Sequence, residues 1–290
     1  MYFSKNAFFS KPSGRSAQRN RAAAFRLRLI LPFCVLLCGL LVSERGLAQI
    51  TVGSTTEATT TNSTTLTFSH TPGAGNNKLL LVAIGVGSTV GSFSIGTDPT
   101  PPAVTGVTFD GVAMTLLSAT IGVETRSVVY RLLNPPDGPA NVVITTASNQ
   151  IANGTPARII GTATTFNNVN QTTPLGTPAT VSSPTNASSI NLTVSSAATD
   201  VIYSTVTVDE GVSQAINVPV SGSNIPTILT NTSGNAAVST ATGYKSGTGT
   251  NVTTTYNFVE SQDHSGIAVA IKAIICPSPN CGTVTLTKLP

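Results

Sequence analysis

The most crowded set of reactive side chains is Glu260-Ser261-Gln262-Asp263-His264-Ser265. Ser, His and Asp are the members of a hydrolase triad, but a triad is assembled from separate segments. No G-x-S-x-G elbow occurs to present a nucleophile. The six residues are therefore expected to form a solvated loop ahead of the last strand, with Glu260, Asp263 and His264 as the residues to watch. His70, before Thr-Pro-Gly-Ala-Gly, reads as a loop histidine. Asp209-Glu210 closes a strand pattern and could offer oxygen ligands to calcium, without the spacing of a calcium loop. No other cofactor is expected. Gly85-Val86-Gly87, followed by Gly91, is expected to be turn chemistry, because no helix follows to hold a phosphate. Glycosidase chemistry needs two carboxylates across a cleft. Asp110 and Asp137 belong to turns and the other acidic residues are scattered, so no pair stands out. No catalytic residue is assigned and the chain reads as a non-enzyme.

Cys276 and Cys281 bracket Pro-Ser-Pro-Asn. A disulfide is expected of them in an oxidising compartment, closing a loop so small that it adds about 2 kcal/mol, locally. A lone C-x4-C without neighbouring ligands makes a poor zinc site.

Such a compartment is indicated by the first 48 residues. Seven Lys and Arg precede residue 29 with no acidic residue among them, and an apolar run follows over 29–42. Gly46-Leu47-Ala48 then supplies the small residues a signal peptidase accommodates. Cleavage is expected between Ala48 and Gln49, by Sec-type export. The apolar run is short of the roughly 20 residues a spanning helix needs, so no transmembrane segment is expected after cleavage. Eight of the 15 basic residues and one of the 11 acidic residues lie before Gln49, leaving 7 against 10 and a net charge of −3. The basic balance of the whole chain belongs to the leader, and phosphate-neutralising patches for nucleic acid are missing from the remainder.

About one residue in five beyond the leader is Thr, and Trp is absent. β-Branched residues favour strands, while Gly, Pro and Asn supply turns. Period-two alternation predicts strands over 64–69, 78–87, 104–109, 112–118, 125–133, 141–147, 158–166, 189–195, 200–208, 227–231, 237–245, 252–258 and 266–274. The stretches 78–87 and 266–274 are uniformly apolar, as strands covered on both faces are. Asp110-Gly111 marks a tight hairpin, and Asn134-Pro135-Pro136-Asp137-Gly138-Pro139 a rigid connection. The expected fold is all-β: a two-sheet antiparallel sandwich, jelly-roll-like, over 63–275. It is preceded by a Thr-rich lead-in or edge strand at 49–62. A tail at 276–290 either opens a further module or pairs back on the sandwich edge.

The stretches 78–87, 104–119, 128–146 with its Asn-Pro-Pro-Asp-Gly turn, 159–178, 200–209 and 265–273 resemble the β-sandwich modules of secreted bacterial surface proteins of the Bacteroidetes type. The resemblance covers roughly residues 50–275 and rests on strand and turn patterns. It implies extracellular or cell-surface placement, accessory or adhesive roles, and cell-surface polymers, glycans or neighbouring modules as partners. It supplies no catalytic residues. A carbohydrate-binding module is the alternative, although the chain beyond the leader has few aromatic residues to build a sugar platform. A secreted hydrolase is the second alternative.

Overall fold

The computed structural model describes residues 49–88, 100–151, 154–210, 216, 227–233 and 237–274. The leader, Ala48, Cys276 and Cys281 lie outside them, so the cleavage site and the disulfide are expectations the structure does not reach.

The described residues form an all-β antiparallel sandwich without helix. Sequence order divides it. Nine strands come first: β1 (Thr51–Thr61), β2 (Thr65–His70), β3 (Leu79–Ser88), β4 (Val104–Phe109), β5 (Val112–Ala113), β6 (Thr115–Ile121), β7 (Thr125–Leu133), β8 (Ala140–Thr146) and β9 (Ala157–Asn167). They build a central sheet, β1-β9-β3-β7-β6, and an outer sheet, β2-β8-β4-β5. This much is the expected two-sheet sandwich. The remaining strands add a third sheet, β10-β14-β11-β13-β12, on the other side of the central one. They are β10 (Ala179–Ser195), β11 (Val201–Glu210), β12 (Thr227–Ser233), β13 (Ala237–Ser246) and β14 (Asn251–Ile271).

The central position explains β3. Leu80, Val82, Ile84 and Val86 enter the core against the outer sheet, beside Phe109, Val142 and Ile144. Leu79, Leu81 and Ala83 enter the core against the third sheet, beside Tyr203, Ile267 and Val269. All ten residues of β3 are buried, as its uninterrupted apolar pattern predicts. The Thr-rich lead-in is the edge strand β1, paired with β9 from Thr51↔Asn167 to Thr61↔Arg158. Asp110 and Gly111 both take positive φ, 51° and 74°, the two-residue hairpin that an Asp-Gly pair favours.

A third core comes from folding one ribbon over. Strands β10 and β14 pair as Ala179↔Ala268 to Ser183↔His264, and again as Ser189↔Asn257 to Ser195↔Asn251. Between the two stretches the register shifts at Ser183/Ala187 and Ala187/Ser189. There the ribbon turns back onto the outward face of the third sheet. Ile190, Leu192, Val252 and Tyr256 pack on Ile202, Val206 and Ala268. Pro184 falls within that irregularity of an edge strand, the kind of place where a strand tolerates proline. The stack thus has four layers and three cores.

Candidate functional site

The expected loop 260–265 is not a loop. All six residues belong to β14, and Asp263, His264 and Ser265 are buried. Successive side chains of a strand point to opposite faces, so Asp263 and His264 diverge. His264 packs on the Phe258 ring of the folded ribbon, 5.3 Å between centroids. Asp263 turns to the central sheet and closes the β6–β7 turn. Its carboxylate accepts the amides of Val123 at 3.1 Å and Glu124 at 2.9 Å, and the Thr125 hydroxyl at 3.1 Å. The Ser265 hydroxyl meets Ser127 Oγ at 3.0 Å. Alternation along the strand holds Asp263 and His264 apart.

Three further expectations change in the same way. His70 closes β2 and is buried, rather than sitting in a loop. Its ring lies 2.8 Å from both Thr56 Oγ1, through Nδ1, and Thr165 Oγ1, through Nε2. Burial lowers its pKa to about 4. Gly85 and Gly87 lie inside β3, not in a turn. A Cβ on Gly85 would collide with Thr240 Oγ1 and stand 2.8 Å from Thr207 Oγ1, so the glycine lets the third sheet approach. Asp209 is 5 % exposed, a buried strand residue rather than an open strand end. Among the described residues no three of His, Cys, Asp and Glu come together as metal ligands.

Among the described residues, a recess with the form of a binding site lies elsewhere. A cleft of about 720 Å³ opens between the β9–β10 crossover, the end of β10 with its turn into β11, and the end of β14. Short backbone bonds fix its walls: Asn170 N to Lys272 O at 2.8 Å, Lys272 N to Pro174 O at 2.8 Å, and Gly176 N to Ala270 O at 2.8 Å. Asn170 Oδ1 accepts the amides of Thr172 and Thr173, which orders the crossover and leaves its side-chain NH2 to donate. Asp200 Oδ2 accepts Ala197 N at 2.8 Å and so shapes the opposite turn. Lys272 lines the same cleft, half-buried, and makes no ion pair among the described residues. No aromatic residue is among the described residues of the lining.

No protein-family model matches this chain, and no curated protein matches it either. Function has to be argued from the cleft and the outward faces of the stack.

Sequence reasoning missed the cleft because its walls are turns and a crossover, which carry no periodic signal. Asn170, two and three residues ahead of the amides it accepts, was the one local clue.

Proposed function

We propose that this chain is a non-catalytic structural or adhesive module of a secreted or surface-attached bacterial protein. The observation that carries this reading is the chemistry of the two outward faces. On the outer sheet the exposed residues Thr65, Thr67 and Ser69 stand across from Thr145, Val143 and Asn141. On the folded ribbon Asn191 faces Thr255 and Thr193 faces Thr253, with hydroxyl contacts of 2.7 and 2.8 Å. Apart from Val143, these rows are neutral hydroxyls and amides, without Lys, Arg, Asp or Glu. Surfaces of soluble domains ordinarily intersperse charges of both signs. Neutral hydrogen-bonding rows suit contact with an uncharged, hydroxyl-rich polymer or with a neighbouring module. The test is co-sedimentation of the purified chain with insoluble bacterial cell-surface polymer. Retention that falls several-fold in a Thr65→Glu/Thr145→Glu variant supports the reading. A native chain that neither sediments with polymer nor associates with itself removes it.

Carbohydrate binding is the second reading, favoured by the cleft. Its volume falls in the range of small-molecule sites.

A further inference from the structure

The cleft beside Lys272 has a composition that selects among ligands. Its cation has no anionic partner among the described residues. Asn170, Thr173 and Thr177 of the crossover and Thr199 of the β10–β11 turn line the same cleft, and the Asn170 side-chain NH2 is left to donate because its Oδ1 accepts Thr172 N and Thr173 N. Thr173 and Thr177 are exposed, so they exchange water for a ligand at little cost.

We propose that this cleft binds a carboxylated sugar of the uronic-acid type, Lys272 holding its carboxylate and Asn170 and the threonines its hydroxyls. One unpaired ammonium calls for one negative charge. Several neutral donors and acceptors around it call for a ligand with several hydroxyls. The Asp200 carboxylate, on the turn opposite the crossover, repels a dianion such as phosphate more strongly than a single carboxylate, and suits hydrogen bonds from sugar hydroxyls. With no aromatic side chain among the described lining residues, affinity comes from hydrogen bonds and the single charge pair rather than from stacking. A weak, salt-sensitive site results.

This inference rests on the reading of the module as one that contacts surface polymers, and it names their class. The experiment is isothermal titration of the full chain with digalacturonate and with galactobiose, its uncharged counterpart. Saturable digalacturonate binding is expected, with galactobiose about tenfold weaker, the loss of one charge-assisted contact. Lys272→Met lowers digalacturonate affinity by about the same factor, while Lys272→Arg keeps most of it, both with unchanged thermal unfolding. Absence of saturable digalacturonate binding, equal affinity for galactobiose, or full affinity in Lys272→Met would each overturn the assignment. A chain that sediments with surface polymer yet ignores digalacturonate loses the cleft assignment alone.

Discussion

The two interlayers that flank the central sheet are built from different chemistry. Toward the outer sheet the filling is almost wholly apolar, from Leu66 and Leu80 through Phe109 to Ile144, with His70 as a buried polar insertion against the Phe109 edge. Toward the third sheet the apolar filling stops part-way. At one end stand Leu79, Leu81, Phe166 and Tyr203. Along β3 the side chains then shrink to Ala83, Gly85 and Gly87, and hydroxyls take over. Ser127 Oγ donates to Thr207 Oγ1 at 2.9 Å, Thr205 meets Thr242 at 3.2 Å, and Thr162 meets Thr230 at 3.1 Å. Asp263 closes that end. An apolar interlayer is held by burial and close packing, which are not directional. A hydroxyl interlayer is held by directional bonds that require one register, because an unmade buried bond is costly. The first two sheets therefore form a conventional core, while the third is seated by specific contacts.

That contrast can be broken in three ways. The largest effect belongs to the apolar side: Phe109→Ala empties a fully buried ring and costs about 3–5 kcal/mol in urea unfolding. A cost below about 1 kcal/mol would mean that this layer is not the conventional core described.

Acid acts on the same layer through His70. Unfolded, the imidazole takes a proton near pH 6.5, whereas in the fold it resists until about pH 4. Stability is unaffected above pH 6.5 and falls as the pH drops from 6.5 toward 4, by up to about 3 kcal/mol. Denaturation series at pH 7.5, 5.5 and 4.5 read this loss, which His70→Gln abolishes. Parallel pH profiles for the two proteins would leave His70 no such part.

The smallest effect tests the close approach of the third sheet. Gly85→Ala drives a methyl into Thr240 and Thr207 and costs about 1–3 kcal/mol. Thr240→Ala, added to it, recovers part of that loss, a coupling a double-mutant cycle detects. Simple additivity would show that the sheets are not pressed together at Gly85.

Several features were legible in the chain. Apolar runs at 78–87 and 266–274 marked strands covered on both sides, Asp110-Gly111 marked a hairpin, and the Thr-rich lead-in marked an edge. Residues 259–265 were not legible, since a polar run between two apolar ones has the pattern of a loop. It is instead the place where a long ribbon folds over, and Asp263 is buried there only because donors from a turn about 140 residues earlier receive it. His70 was equally opaque: its partners Thr56 and Thr165 come from two other strands.

By itself the sequence determined the all-β antiparallel character, most strand positions and the hairpin turns, because these follow from alternation and from residues that admit particular backbone angles. The tertiary structure decided that a third sheet lies on the first two, that β10 and β14 fold over it, and that Lys272 shares a cleft with Asn170 and Asp200. Such arrangements depend on which faces meet after the strands exist, and contacts between residues far apart in sequence leave no local trace.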